Sequence, residues 1–104
     1  MNIEENDFGE AIRVGGQLIC HVHANENNRG APGTGHIPFK QIFEGLKEIG
    51  YQRWLVIQTF NPAKASEVLR AGHYPRLLWR ALAIDQDTLA RDGLRYLQRV
   101  WYSA

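Results

Sequence analysis

The sequence has little of what would place it in several common classes. Cys20 is the only cysteine, so no internal disulfide can form, and a reducing cytoplasmic setting is expected. No apolar run approaches the ~20 residues of a membrane span, and no secretory leader pattern opens the chain. An excess of charge of one sign is also lacking. Twelve Lys and Arg stand against 11 Asp and Glu, a formal net charge of +1, without the positive field that nucleic acids or anionic membranes draw on. Neither partner is expected; a small, neutral or mildly anionic molecule suits this balance better. What remains is 104 residues, 44% hydrophobic and 22% charged, enough for one compact core and one domain.

The apolar pattern alternates between helical and strand-like stretches. Phe8, Ala11, Ile12 and Val14 recur at helical spacing behind Asp7 and Glu10, and Gly15-Gly16 closes that short helix. Gln17 to His23 reads as a buried strand that ends in polar side chains. Asn25 to Gly35 is crowded with Asn and Gly and contains Pro32, which makes it a loop. Pro38 opens a helix with Phe39, Ile42, Phe43, Leu46 and Ile49 on one face, and Gly50 suits the left-handed position after its end. Trp54 to Phe60 is a second apolar run. Strand, loop, helix and strand in this order predict a βαβ unit with parallel strands. Short helical pieces are expected over 63–71 and 75–83. A last helix, capped by Asp85 or Asp87, would turn Leu89, Ala90, Leu94, Leu97, Val100 and Trp101 inward and Arg91, Arg95 and Arg99 outward.

Two parallel strands are too few for an independent sheet, since parallel sheets are covered on both faces. Either copies of the chain associate or the chain belongs to a larger α/β domain. Both readings predict exposed apolar surface.

Residues that could carry chemistry gather at the strand ends. His21-Val22-His23 would put both imidazoles on one face of a strand, because side chains alternate. That arrangement can suit a transition metal, but by itself it favours a hydrogen-bonded structural histidine, since a metal needs three or four converging ligands and only Asn25, Glu26 and the more distant His36 are near in sequence. Arg29, in the loop after the strand, could bind a hydroxyl, carboxylate or phosphate, or be a solvated arginine. The Gly-Ala-Pro-Gly-Thr-Gly stretch lacks the Lys-Ser/Thr of a phosphate-binding loop and reads as a turn. Gln58 is polar at the end of an apolar strand and is expected to point into a polar site, where an amide cannot act as a general base. Cys20 is expected in the core, and Trp54, Trp79 and Trp101 in core or interface.

Taken together, MNIEE, HVHANENNRGAPGTGHIPF, FEGLKEIGYQRWLVIQTF and DTLARDGLRYLQRVW resemble the last third of the D-tagatose 3-epimerase family, a branch of the xylose-isomerase-like barrels. The resemblance runs nearly end to end and is most specific in the HxH strand end, Glu26, Arg29, the PGTG turn and the KEIGY segment. It implies a partial (β/α)8 barrel, with the seventh and eighth strands and the sixth to eighth helices, completed or covered by self-association. His23 matches the family's metal-ligating histidine, Arg29 its arginine for substrate hydroxyls, and His21 an accompanying strand histidine. The family's cofactor is a divalent metal, Mn²⁺ or Mg²⁺, which polarises a ketose while two glutamates move the C3 proton.

Gln58 stands where the second of those glutamates is found, so no catalytic residue is assigned. A histidine, an aspartate ligand and the first glutamate precede the MNIEE segment in the family and have no counterpart here. The resemblance therefore implies a sugar epimerase-like piece without turnover of its own. Assembly with a separate N-terminal fragment, or a non-catalytic sugar- or metal-binding module, are the alternatives. The superfamily also holds metal-dependent endonucleases, which the near-neutral charge disfavours.

Overall fold

A computed structural model describes residues 4–59 and 85–104. Helix α1, Phe8–Gly15, starts where Asp7 accepts a hydrogen bond from the Glu10 amide at 2.9 Å. Asp7 also accepts from Gln41 Nε2 at 3.0 Å, so the carboxylate that opens α1 is fixed to the next helix. A 3-10 turn, Gly16–Leu18, leads to strand β1, Val22–Ala24. The strand is thus shorter than the apolar run: the positive φ of Gly16 and the 3-10 turn occupy its first half. Cys20 and Leu18 are exposed there, so the core placement expected of Cys20 does not hold. Val14, expected inward, is 77% exposed because α1 packs through Gly9 and Ile12 instead.

Helix α2, Phe39–Glu48, carries the core. Phe39, Ile42, Phe43 and Leu46 are all buried against Ile12, Ala24 and Leu97. Side chains of this kind contribute ~1.5–3 kcal/mol each when fully buried. α1 approaches α2 closely because two glycines face each other: a β-carbon on Gly45 would lie 3.3 Å from the Gly9 Cα. The end of α2 is a Schellman motif. Gly50, at φ 67°, donates to the Lys47 carbonyl at 3.0 Å, and Tyr51 donates to Leu46 at 2.9 Å. This is the left-handed position expected of Gly50.

Strand β2, Leu55–Ile57, pairs parallel with β1 in the register Val22 to Leu55, His23 to Val56 and Ala24 to Ile57. The βαβ unit is therefore present. The sheet has two strands among the described residues. One of its faces, with Val22, Ala24, Leu55 and Ile57, packs on the helices, while Val56 and Trp54 remain 40% and 77% exposed.

Helix α3, Gln86–Ser103, is capped by Asp85, which accepts from the Thr88 amide at 2.7 Å. Leu89 and Leu97 are buried and Val100 and Trp101 half-buried, as expected, and Trp101 meets the Phe43 ring edge-on at 5.2 Å between centroids. Arg91, Arg95 and Arg99 face outward. Ala90 and Leu94 depart from the expected pattern and are exposed. They line a groove of about 680 Å³ between α3 and β2, with Leu55, Ile57 and Trp101 along its floor. The helical pieces expected over 63–71 and 75–83, and Trp79 with them, lie outside the described residues. No helix among the described residues is long and apolar enough to cross a membrane.

Candidate functional site

The candidate residues meet at the C-terminal ends of the two strands. Alternation along β1 turns Val22 and Ala24 into the core and leaves His21 and His23 exposed. Their rings stand edge to face, 4.9 Å between centroids. The parallel register carries Gln58 alongside, because its amide donates to the Ala24 carbonyl at 2.9 Å. Gln58 Oε1 lies 3.1 Å from His23 Nδ1. With that oxygen as acceptor, Nδ1 carries the proton and donates. The polar end of the second strand therefore does point into a polar cluster, as the sequence predicts.

Beyond β1 the chain enters the loop of residues 25–37. Glu26 is its organiser: the residue is 2% exposed, and its carboxylate accepts three backbone N–H groups, from Asn27 at 3.0 Å, Gly33 at 2.9 Å and Ile37 at 2.9 Å. Two asparagines add to this scaffold. Asn27 Oδ1 accepts from the His36 amide at 2.8 Å, and Asn28 Oδ1 accepts from Gly30 at 2.9 Å. The Asn/Gly-rich composition thus makes a fixed loop, closed by side-chain oxygens on main-chain donors.

That scaffold presents Arg29. Its φ of 65° is uncommon for a non-glycine residue, and its amide donates to the Glu26 carbonyl at 3.0 Å. Arg29 lines a cleft of about 260 Å³ together with His23, Asn25 and Glu26, over an apolar floor that includes Phe8 and Phe39. Asn25 Oδ1 is buried there and has no hydrogen-bond partner among the described residues. His21 lies beside His23 and is not among the residues lining this cleft. His36 is exposed on the far limb of the loop.

Glu26 was open to a ligand role in the sequence, and the three amides account for it instead. An acidic residue at the head of an Asn/Gly loop is the one sequence signal for such a clamp. The donor set bears directly on a divalent cation. No group of three or more His, Cys, Asp or Glu that could hold a metal ion occurs among the described residues. Mn²⁺ and Mg²⁺ call for several oxygen donors, mostly carboxylate. His23 and Gln58 offer neutral donors and no carboxylate, so the described residues do not by themselves fit such an ion.

Comparison with known proteins supplies the wider frame. The family described as "Xylose isomerase-like TIM barrel" matches residues 1–100. A probable ketose 3-epimerase of Synechocystis is 33% identical over 101 residues, covering 97% of this chain and 33% of its own length. A D-psicose 3-epimerase of Enterocloster bolteae is 42% identical over 97 residues, covering 89% of this chain and 30% of its own. Among solved structures, an L-ribulose 3-epimerase superposes with a TM-score of 0.80 at 33% identity, over 99% of this chain and 34% of that one. The chain spans about a third of the length of the curated relatives it matches, and the two parallel strands with their helices are a part of a barrel.

Proposed function

Because the chain belongs to the xylose isomerase-like TIM barrel family, we propose that residues 1–104 form a single ketose 3-epimerase-related barrel segment. It contributes His21, His23 and Arg29 to sugar recognition and does not turn substrate over alone. The observation that carries this reading is Gln58. Its amide sits 3.1 Å from His23, at the position where the resemblance calls for a glutamate. A carboxylate can take up and return a proton, whereas a carboxamide at neutral pH can only donate and accept hydrogen bonds. Loss of one general base removes ~10²–10⁴-fold in rate.

Sugar binding does not need that base. Arg29 and the strand histidines supply donors and an acceptor suited to hydroxyl groups, at the end of the strands where barrels of this kind bind their ligands. Mn²⁺ or Mg²⁺ belongs to the function only where further carboxylates join His23. The polyol partner is then neutral, and the reading places the chain in the cytoplasm.

The test is chromatography of D-tagatose, D-fructose and D-ribulose after incubation with the chain and Mn²⁺. No C3 epimer is expected; any epimer formed above a heat-treated control refutes the reading. Gln58→Glu addresses the site separately: restoring a carboxylate beside His23 is expected to tighten Mn²⁺ binding by about tenfold or more, as one added charged donor of ~1.4 kcal/mol would.

A second reading is favoured by the open sheet. Trp54 and Val56 are exposed and the sheet has only two strands among the described residues, which suits completion by further strands. We take self-association into an oligomer as the first form of that completion. A segment carrying the remaining barrel strands is the other.

A further inference from the structure

His23 and Gln58 are two neutral donors, and no group of three or more His, Cys, Asp or Glu that could hold a cation occurs among the described residues. His23 Nδ1 lies 3.1 Å from Gln58 Oε1, within hydrogen-bonding distance. An imidazole has one N–H and one lone pair when neutral, and which nitrogen holds the proton is set by the partner of the other. An acceptor oxygen on Nδ1 selects the Nδ1–H form and leaves Nε2 bare. We propose that Gln58 is a positioning residue that holds His23 as the Nδ1–H tautomer, so that Nε2 is the atom offered to a ligand, as an acceptor for a hydroxyl group of a neutral polyol.

Three features of the site support this assignment. The backbone fixes the pair, since the Gln58 amide is bonded to the Ala24 carbonyl at 2.9 Å and the strands are in register from Val22 to Ala24. The His21 ring packs edge to face on the His23 ring, 4.9 Å between centroids, which restricts rotation of His23 away from Gln58. Finally, His23 is exposed on the open face of the sheet, so Nε2 can be reached. A carboxylate in place of Gln58 would also accept from Nδ1, but it would bring a negative charge. The amide makes the same contact and keeps the pair neutral. Neutrality matches a hydroxyl donor better than a cation, for which two neutral donors are a poor set. The hydroxyl part of the proposal rests on the sugar-binding reading above; the tautomer part does not.

The experiment is ¹⁵N NMR of the imidazole groups in the full chain at pH about 8, above the ordinary imidazole value of about 6.5, for wild type and Gln58→Leu. His23 is expected with a pyrrole-type Nδ1 and a pyridine-type Nε2, and Gln58→Leu should shift the population toward Nε2–H by roughly threefold to tenfold, the bias of one ordinary hydrogen bond. A protonated Nε2 in the wild type, or averaged signals like those of a free histidine, overturns the proposal. So does an identical tautomer ratio in Gln58→Leu. Addition of D-fructose should then move the Nε2 signal in the wild type and less in Gln58→Leu. Equal shifts in both overturn the positioning role. No shift in either refutes the sugar-binding reading and the hydroxyl assignment with it, while the tautomer result continues to decide the role of Gln58.

Discussion

Gly33 lies flat against the ring of Tyr96: a β-carbon built on Gly33 would sit 2.5 Å from Tyr96 Cγ, well inside van der Waals contact. This contact seats the loop of residues 25–37 on α3, and the same glycine donates its amide to Glu26 from a φ of 95°. Gly33→Ala must therefore resolve both a clash and a left-handed backbone. We expect a loss of ~2–3 kcal/mol in stability, read as a lower urea midpoint. An unchanged midpoint would mean that the loop is not docked on α3 as described.

Glu26 concentrates three amides on one buried carboxylate. Removing it leaves donors without partners in a place water reaches poorly. Glu26→Ala is expected to cost ~2–4 kcal/mol, whereas Glu26→Gln keeps one acceptor oxygen and should cost less. Amide hydrogen exchange checks this locally: the Gly33 and Ile37 amides, which bond to different oxygens of Glu26, should both exchange faster in Glu26→Ala and only one of them in Glu26→Gln, and protection of both at wild-type level in Glu26→Ala would contradict the clamp.

Acid should weaken the fold through two carboxylates. The hydrogen bonds from Arg13 and its charge hold the Glu48 carboxyl below the usual carboxylate range, and the Thr88 amide and hydroxyl do the same for Asp85. A carboxyl with a depressed value in the folded chain contributes stability that is present above its unfolded value, ~4.3 for Glu and ~3.9 for Asp, and is lost as pH falls through the lower folded value. Urea midpoints should therefore hold steady from neutral pH down to about 5 and then decline below about 4. The double variant Glu48→Gln, Asp85→Asn should start lower and show a flatter acid limb; an equally steep limb would assign the acid sensitivity elsewhere.

The open face should govern association. Trp54 is 77% exposed and Val56, the register partner of His23, is 40% exposed, an arrangement that water disfavours. Size-exclusion chromatography with light scattering should find a dimer or larger species, and Trp54→Lys should shift it toward the monomer. A wild-type monomer at the concentrations used for NMR would rule out self-association as the means of covering this face.

Much of the architecture was legible in the sequence because local rules and packing agree. The stripe from Phe39 to Ile49 gave α2, Gly50 its end, the Asp85/Asp87 pair the start of α3, which Asp85 caps, and the order of apolar runs the parallel pairing. Where the reading went astray, a competing local preference prevailed. The run through Ile19 and Cys20 looks like strand interior, yet the turn at Gly16 and the 3-10 residues after it shorten the strand and expose Cys20. Leu94 and Ala90 follow the helical stripe but face the groove beside β2 rather than packed side chains, and periodicity cannot tell a filled neighbour from an open one. In the site, period-two alternation placed His21 and His23 on one face. The pairing of His23 with Gln58 depends on register across 35 residues, which no local pattern encodes, and the clamp role of Glu26 depends on a loop path that composition only hints at.

All three donors to Glu26 are main-chain groups, so the clamp recognises the course of the polypeptide and is largely blind to the side chains hung on it. Gly33, pressed on Tyr96, and Gly35, where a β-carbon would fall on Asn27 Oδ1, are tied to their identity by space, as are the buried Ala31 and Pro32. The outward Arg29 can be exchanged while the clamp and the two asparagine caps stay in place. Structurally the loop is a cassette, in which a buried carboxylate and two asparagines preserve the frame and ligand preference can be rewritten at Arg29.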